Sequence, residues 1–286
     1  MTNKILVSGA TGLLGAHVLV ELLKSDQKIV ALYRNSDTRD EVLSVFSFYS
    51  LEDKWDSIEW QKGDLSDVQF LQDLMSDITQ VYHCAAMVSF DPKDAVQLHS
   101  VNVEGTQNMV NAAIYNGVSK FLHVSSTATI GSPNNGKICT EESNWKTDEY
   151  HTYYAKSKYS SEREVWRGIE EGLDAVIVNP CIIIGPGNPH KSSGTMFSTV
   201  ANGLKFYTDG ANAFVDARDV ARIMVMLMNS EIKSERFLCI GENLSFKSLF
   251  DNIANEMGVK SPTIKASKLM TSIAWRMMML SLIHIS

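Results

Sequence analysis

An α/β fold built on a doubly wound parallel sheet is the architecture that the sequence predicts. Short apolar runs suited to buried strands alternate along the chain with segments of helical apolar spacing. The first run, residues 4–7, leads into three glycines, Gly9, Gly12 and Gly15, and then into a helical pattern. Right-handed crossovers place the carboxyl ends of all strands, and any ligand, along one edge of such a sheet.

The glycine-rich segment after the first strand is typical of a dinucleotide-binding loop. Gly9 permits the tight turn off the strand, Gly12 lets a pyrophosphate approach bare backbone, and Gly15 allows close packing of the helix on the sheet. The free amides at the start of the helix would hold the phosphate charge. An ordinary glycine-rich strand-to-helix turn is the alternative interpretation.

The second predicted strand, residues 28–33, ends where the adenosine ribose of a dinucleotide would lie. An acidic side chain there accepts hydrogen bonds from a free 2′-hydroxyl, whereas arginine accommodates a 2′-phosphate. Arg34 follows this strand, and the first carboxylate is Asp37. We therefore interpret Arg34 as a 2′-phosphate clamp and expect NADP(H) to be preferred, with NAD(H) as the alternative. A solvated surface arginine is the other interpretation of Arg34.

Four further apolar runs are predicted to be strands of the same sheet, and helical segments separate them. The strands are residues 58–62, 80–84, 120–125 and 173–179. Helices are predicted at residues 38–49, with Thr38 and Glu41 spaced as a capping box, around residues 70–74, at residues 101–115, and from Tyr153 through SSEREVW. His83, at the end of the fourth strand, is interpreted as a packed histidine, not a catalyst.

Composition limits the function classes. The 286-residue chain is 44% hydrophobic and 21% charged, as in soluble globular proteins, and is long enough for a substantial core. The net charge of −7 argues against a nucleic-acid partner. The four cysteines form no CxxC pair, and only MTN precedes the first strand. We therefore expect a reducing, cytoplasmic location and no signal peptide.

Two polar clusters follow late strands, where a substrate would meet a nicotinamide. Ser125, Ser126 and Thr127 close the fifth strand, and Tyr154 and Lys158 are four residues apart on one helix face. A free tyrosine has a pKa of about 10, and a nearby ammonium and an oxidised nicotinamide would lower it. Tyr154 would then exchange a proton with a carbonyl or alcohol, while Lys158 reaches the nicotinamide ribose and Thr127 holds the substrate oxygen. Any amphipathic helix can contain YxxxK by chance, but behind a glycine loop the pattern favours hydride transfer.

Together these segments resemble the extended short-chain dehydrogenase/reductase family, also called the NAD-dependent epimerase/dehydratase family, which implies a Rossmann fold. The resemblance runs from residue 4 to about residue 221 through the motifs SGATGLLG, GDLSD, HCAAMVSF, VNVEGTQN, HVSSTA, YYAKSK, VNPCIIIGPGN and FVDARDVA. YRN, AAMVSF and GPGN favour the dihydroflavonol-reductase-like branch of ketone reductases. Nucleotide-sugar epimerases more often have an acidic residue after the second strand and a GPR-like segment later.

The resemblance also implies roles for residues at matching positions. Thr127, Tyr154 and Lys158 match the catalytic set, Asn102 is expected to be structural, and no metal is expected. Asp64 and Leu65 would bracket the adenine, and residues 180–183 would lie beside the nicotinamide carboxamide. The coenzyme-binding set is Gly9, Thr11, Gly12, Leu13, Leu14, Gly15, Arg34, Asp64, Leu65, Ala85, Ala86, Ser125, Tyr154, Lys158, Pro180, Ile182 and Ile183.

Three functions stay open at this point. The leading one is an NADP(H)-dependent reductase or dehydrogenase acting on a small ketone or secondary alcohol. A nucleotide-sugar epimerase or dehydratase would use the same residues but regenerate bound NAD(H). A non-catalytic dinucleotide sensor or scaffold would need only the glycine loop, so the intact Thr127, Tyr154 and Lys158 argue against it. We expect a small-molecule partner, with no nucleic acid and no membrane, and leave a homodimer open.

The strand–helix rhythm is lost after Pro186. We expect residues 1–186 to form the NAD(P)-binding domain and residues 187–286 a substrate lobe, interleaved with core elements that return at about residues 213–230. A strand is predicted at 237–240, a helix at 248–257, and a local ion pair between Arg218 and Asp219. The apolar, methionine-rich residues 269–286 contain Arg276, which favours a lobe helix cut short over a membrane span. We therefore expect the C-terminus to be truncated.

Overall fold

The computed structural model describes residues 4–131, 138–147 and 150–267. The chain divides into two compact units. The first comprises the residues up to 188 together with 215–241, and the second comprises residues 189–214 and those from 242 onward. The apolar C-terminal segment, residues 269–286, lies outside the described residues.

The secondary structure alternates between strands and helices through most of the first unit. The strands are β1 Lys4–Ser8, β2 Lys28–Tyr33, β3 Ile58–Lys62, β4 Gln80–His83, β5 Lys120–Val124, β6 Ala175–Pro180, β7 Ile182–Ile184, β8 Phe206–Tyr207, β9 Ala211–Asp216, β10 Glu235–Cys239, β11 Glu242–Ser245 and β12 Ile264–Lys265. The helices are α1 Leu13–Leu22, α2 Ser36–Phe48, α3 Val68–Leu74, α4 Ala95–Leu98, α5 Gly105–Tyr115, α6 Tyr153–Glu170, α7 Gly194–Ala201, α8 Ala217–Met228 and α9 Phe246–Met257.

A seven-stranded parallel sheet forms the core of the first unit, in the order β10-β6-β5-β4-β1-β2-β3. This is the doubly wound architecture that the sequence predicts. Every residue of β6 is buried, as expected for a parallel strand covered on both faces. The order reverses between β1 and β4, and ligands of such sheets bind beside that reversal, at the carboxyl ends of the strands. The residues that follow β1, β4 and β5 therefore mark the expected site.

Two predicted helix starts differ from those in the structure. The α2 helix begins at Ser36, since the side chain of Asn35 accepts a hydrogen bond from the Asp37 amide at 3.0 Å. Thr38 lies within the first turn, so the predicted capping box is wrong. The predicted helix at residues 101–115 begins earlier in the structure: α4 is followed by a π-helical turn, His99–Glu104, which leads directly into α5.

The predicted pairing of Arg218 with Asp219 is also wrong. The Nε atom of Arg218 instead donates to Asp216 at 2.9 Å, and Asp216 also caps α8 by accepting the Arg218 amide. Asp219 lies 3.5 Å from Arg222, one helical turn further along.

In its described part, up to residue 267, the second unit contains short strands and two helices, α7 and α9. Strands β9 and β11 pair antiparallel, with Ala213 opposite Asn243, and β8 pairs parallel with β12. A cavity of about 330 Å³ in this unit has a mainly apolar and aromatic lining that includes Phe206, Phe246 and Phe250. In the described ranges, no helix combines the length and apolar composition needed to cross a membrane.

Candidate active site

The turn between β1 and α1 is closely packed against the end of β4. Gly9 has φ of +67°, and a Cβ atom on it would lie 2.5 Å from the amide nitrogen of Ala85. A Cβ atom on Gly15 would lie 2.1 Å from the carbonyl oxygen of Gly9. Both positions therefore require glycine, the first for its backbone conformation and for space, the second for space.

The start of α1 offers backbone amides to a ligand. Gly12 is exposed and extended, and among the described residues no side chain caps the helix. Thr11 and Leu13 are partly exposed beside it, while Leu14 is buried and anchors the helix to the core. An uncapped helix N-terminus binds anions through its amides and its dipole. This cradle fits the pyrophosphate of a dinucleotide, a group that a side chain at Gly12 would obstruct.

Two charged side chains meet at the ends of β2 and β3. Arg34 Nη1 lies 3.9 Å from Asp64 Oδ2, and the two side chains are 68% and 48% exposed. Hydrogen bonds from Ser66 and the nearby Arg34 hold the pKa of Asp64 below its usual value. Such an exposed pair contributes little to stability, so a bound anion can displace it. Leu65, the next residue, is fixed through its carbonyl oxygen, which accepts a 2.8 Å hydrogen bond from Asn108.

The last residue of β4, His83, is fixed by buried hydrogen bonds just before the predicted coenzyme-binding residues Ala85 and Ala86. His83 is fully buried, with Nδ1 2.6 Å from Ser8 Oγ and Nε2 3.0 Å from Thr106 Oγ1, so it is a packed histidine as predicted. Ala85 is partly exposed and Ala86 is exposed.

Asn102 fixes the segment that continues beyond Ala86. Its side chain accepts a hydrogen bond from the Met87 amide at 2.7 Å and donates to the Met87 carbonyl at 2.9 Å. It also donates to Ser157 Oγ at 2.9 Å, which ties this segment to α6.

Tyr154 and Lys158 lie in the first turns of α6. The helix begins there because the hydroxyl of Thr152 accepts a hydrogen bond from the Ala155 amide at 3.1 Å. Lys158 is 1% exposed, and its Nζ donates to the carbonyl oxygen of Val124, the last residue of β5, at 2.8 Å. Burial lowers the pKa of Lys158 to about 8, although the charge of Glu162 opposes the shift.

The hydroxyl of Tyr154 contacts Ser126, the residue before the predicted Thr127. Burial raises the pKa of Tyr154, and the hydrogen bond with Ser126 partly offsets this rise. The direction is opposite to the lowering that the sequence argument predicts, because desolvation of the phenolate dominates here. Thr127 begins a short 3₁₀ turn, Thr127–Thr129, and is partly exposed beside this contact. Its catalytic role stays a prediction.

The other predicted residues follow β5 and β6. Ser125 is buried and its hydroxyl donates to Glu162 at 2.5 Å, so the side chain is directed into the protein. Pro180 is buried at the end of β6, and Ile182 and Ile183 are partly exposed in β7. Because the ends of β5 and β6 are adjacent in the sheet, the residues after these strands lie on the same edge as the glycine turn.

Sequence spacing alone does not reveal the buried groups behind Tyr154 and Lys158. Glu162, Asn179 and Arg236 form a hydrogen-bonded cluster in which Glu162 Oε1 lies 3.0 Å from Arg236 Nη1 and Glu162 Oε2 lies 2.9 Å from Asn179 Nδ2. The available signal was the position of Glu162, four residues after Lys158 on the same helix face. No group of three or more metal-binding side chains is found among the described residues.

Comparison with known proteins identifies the family. A model of the NAD dependent epimerase/dehydratase family matches residues 5–241. Sterol demethylase protein B of Methylococcus capsulatus is 30% identical over 263 residues, which is 91% of this chain and 76% of that protein. A putative dihydroflavonol 4-reductase of Synechocystis is 27% identical over 268 residues, which is 92% of this chain and 75% of that protein.

A solved structure shares the fold. DesIV of Streptomyces venezuelae, a dTDP-glucose 4,6-dehydratase with NAD and TYD bound, has a TM-score of 0.76 and 21% identity, covering 93% of this chain and 85% of that chain. The predicted family and fold are therefore confirmed. The chain belongs to the NAD-dependent epimerase/dehydratase family and is an NAD(P)-dependent enzyme.

Proposed function

We propose that the protein catalyses NADP(H)-dependent interconversion of a ketone and a secondary alcohol on a small, largely apolar molecule. The observation that carries this proposal is the pairing of Tyr154, whose hydroxyl faces Ser126, with the buried Lys158 one turn along α6. This arrangement supplies a proton donor, a second hydroxyl and a cation at one edge of the sheet.

The chain's own residues hold the coenzyme in this proposal. The amides at the start of α1 would bind the pyrophosphate of the coenzyme. Gly9 and Gly15 keep the turn compact, so that Ala85 and Ala86 would lie beside the rings of the coenzyme. Lys158, whose ammonium donates to the carbonyl oxygen of Val124, would also donate to a ribose hydroxyl of the coenzyme. When bound, the coenzyme supplies or accepts a hydride.

Tyr154 carries out the proton transfer. Since burial raises its pKa, the phenol keeps its proton at neutral pH, which is the state that protonates a carbonyl oxygen. Ser126 and Thr127 can orient that oxygen from the end of β5. In this protonation state Tyr154 can act directly in the reduction direction, whereas alcohol oxidation starts from the phenolate.

The side chains beside Tyr154 favour an apolar substrate. The ring of Phe90 lies 5.7 Å from the Tyr154 ring, edge to face, and is 71% exposed. Val88, two residues earlier, is 61% exposed. Exposed apolar groups next to a reacting tyrosine provide contact area for the carbon skeleton of a substrate. Two relatives carry the names sterol demethylase protein B and putative dihydroflavonol 4-reductase, which also suggest ring systems.

Arg34 supports NADP(H) over NAD(H). Its guanidinium is mostly exposed at the end of β2 and makes a 3.9 Å contact with Asp64. A 2′-phosphate would offer bidentate hydrogen bonds in place of that contact. The cytoplasmic location and the homodimer stay predictions.

A nucleotide-sugar epimerase or dehydratase is the second candidate, since DesIV has that chemistry on the same fold. One experiment separates the two. Purified protein is incubated with NADPH and either a panel of aryl and alicyclic ketones or a panel of nucleotide sugars. Net consumption of NADPH with a ketone supports the proposal. Conversion of a nucleotide sugar by protein that retains NAD(H), with no net consumption, would replace it with the second candidate.

A further inference from the structure

Glu162 is a buried acid for which the proposed reaction has no direct use. It lies on α6 four residues after Lys158 and eight after Tyr154, so the three side chains follow one side of the helix. Only 2% of Glu162 is exposed. A buried carboxylate is unfavourable unless hydrogen bonds or an opposite charge compensate for its lost hydration.

The lost hydration of the Glu162 carboxylate is compensated by five hydrogen-bond donors, four of them from outside α6. Its Oε2 atom accepts hydrogen bonds from Ser125 Oγ at 2.5 Å, Thr129 Oγ1 at 2.8 Å and Asn179 Nδ2 at 2.9 Å, and its Oε1 atom accepts from Arg236 Nη1 at 3.0 Å and Trp166 Nε1 at 3.3 Å. Burial alone would raise the pKa of Glu162, but these hydrogen bonds outweigh burial and lower it. Glu162 is therefore ionised at neutral pH.

The same hydrogen bonds fix the segment that carries Ser126 and Thr127. Thr129 Oγ1 lies 2.8 Å from Glu162 Oε2 and 2.9 Å from the carbonyl oxygen of Ser126, and its single hydroxyl proton is donated to one of these acceptors at a time. The backbone amide of Thr129 also donates to the Ser126 carbonyl oxygen, at 3.1 Å. Asn179 Nδ2 reaches that oxygen at 3.2 Å. The backbone of Ser126, whose hydroxyl meets Tyr154, is thus tethered through Thr129 and Asn179 to one carboxylate.

The charge of Glu162 also acts on Lys158. The titratable groups that face the Lys158 ammonium are His83 and Cys84 from β4 and its end, His123 from β5, and Glu162 from α6 itself. Burial lowers the pKa of His83 to about 3 and that of His123 well below its usual value. Burial raises the pKa of Cys84 to about 12, so these three groups are neutral at pH 7.

Among these neighbours only Glu162 carries a charge that can stabilise the Lys158 ammonium. Arg236, on β10, faces the opposite carboxylate oxygen and balances the remaining charge.

We propose that Glu162 is a positioning residue of the active site, acting in two ways. Its charge favours the ammonium form of Lys158, and its hydrogen bonds hold residues 125–129 so that Ser126 meets the Tyr154 hydroxyl. This inference rests on the proposed reductase function.

The first test measures the pH dependence of NADPH-dependent ketone reduction in Glu162→Gln. Glutamine keeps the size of Glu162 and removes the charge, and its one amide oxygen can accept from the donors on only one side of the original carboxylate. The basic limb of kcat/KM should move to lower pH by about one unit, because Lys158 then loses its proton more readily. Glu164→Gln is the matched control: Glu164 is on the same helix and pairs with Arg167 at 2.9 Å. An unchanged basic limb in Glu162→Gln, or an equal shift in Glu164→Gln, would overturn the electrostatic part.

The second test addresses the tether and keeps the proposal falsifiable if Glu162→Gln does not fold. Thr129→Val removes one hydroxyl from the cluster at nearly constant volume. We expect kcat to fall by about tenfold, with the KM for NADPH within about twofold of the wild-type value, since the binding loop is untouched. Thr129→Ser restores the hydroxyl and should recover kcat. A wild-type kcat in Thr129→Val would overturn the tether.

A binding measurement separates failure of this inference from failure of the proposed function. NADPH affinity is titrated by fluorescence across the same pH range, which requires no turnover. Loss of affinity should begin at lower pH in Glu162→Gln than in the wild type and in Glu164→Gln. If the wild type reduces no ketone but this shift is present, the proposed function fails and the role of Glu162 toward Lys158 stands. Ketone reduction without any shift in Glu162→Gln overturns the role alone.

Discussion

Substitution of Gly9 tests whether the close approach of two strand ends shapes the coenzyme site. In Gly9→Ala the new methyl group would lie 2.5 Å from the Ala85 amide, and the residue would keep φ of +67°. The left-handed conformation costs a non-glycine residue about 1 kcal/mol. Overpacking against backbone that cannot rotate away adds about 1–3 kcal/mol. We therefore expect the free energy of unfolding to fall by about 2–4 kcal/mol.

Gly117→Ala is the matched control for this substitution. Gly117 has φ of +65°, nearly that of Gly9, but a Cβ atom on it would meet no atom of the described residues within 4 Å beyond its chain neighbours. It should therefore lose only about 1 kcal/mol, the conformational part. Urea unfolding of both variants measures the difference, and NADPH titration should show a loss of affinity of more than about tenfold for Gly9→Ala alone. Equal stability losses in the two variants would refute the close-approach argument.

Three further predictions concern the coenzyme, the substrate and acid stability. Arg34→Ala should weaken NADPH binding by about tenfold or more and leave the affinity for NADH within about twofold of the wild-type value. Equal losses of affinity for the two coenzymes in steady-state titrations would refute the 2′-phosphate clamp. Phe90→Ala should raise KM for apolar ketones by about tenfold and leave KM for NADPH unchanged, because the exposed ring contacts Tyr154 and not the glycine turn; an unchanged ketone KM would exclude Phe90 from the substrate surface. The folded-state pKa of Glu162 is lowered, so its ionised form stabilises the fold above an unfolded-state pKa of about 4.3, and that contribution is lost as the pH falls through the folded-state value. The stability advantage of the wild type over Glu162→Gln should thus shrink as the pH falls from about 5 through the lowered folded-state pKa; a constant difference would mean that the charge of Glu162 does not stabilise the fold.

The fold was predictable because its determinants are local. Apolar runs mark strands that are buried on both faces, as in β2, which has the predicted bounds, residues 28–33. The edge strand β3 also has its predicted bounds, residues 58–62, although only Ile58 is buried in it. The glycine turn was predictable because positive φ and close backbone approach both demand glycine at Gly9. Helix starts were less predictable, because both Asn35 and Thr38 are suited to cap α2, and the side chain of Asn35 is the one that does so.

The candidate site was predictable only in part because its support comes from distant segments. Tyr154 and Lys158 could be paired from their spacing on one helix. The cluster behind them joins Glu162 to Asn179, 17 residues away, and to Arg236, 74 residues away. Such contacts depend on the register of β6 and β10 in the sheet, which helix and strand periodicity cannot supply.

The pKa of Tyr154 shows the same limit. Sequence spacing indicates a nearby ammonium, which lowers a tyrosine pKa, but it does not report how far the phenol is desolvated. In the structure burial has the larger effect, and the pKa rises. This difference favours Tyr154 as a proton donor at neutral pH.

Transfer of a labelled hydride tests the central claim most directly. Protein is incubated with a ketone and NADPH that carries deuterium at the transferable position of the nicotinamide, and the product alcohol is analysed by mass spectrometry. We predict one deuterium on the carbinol carbon for each NADPH consumed. The rate should be at least about a hundredfold lower in Tyr154→Phe, with NADPH affinity unchanged. An alcohol product without deuterium, or full activity in Tyr154→Phe, would contradict the proposed hydride and proton transfer.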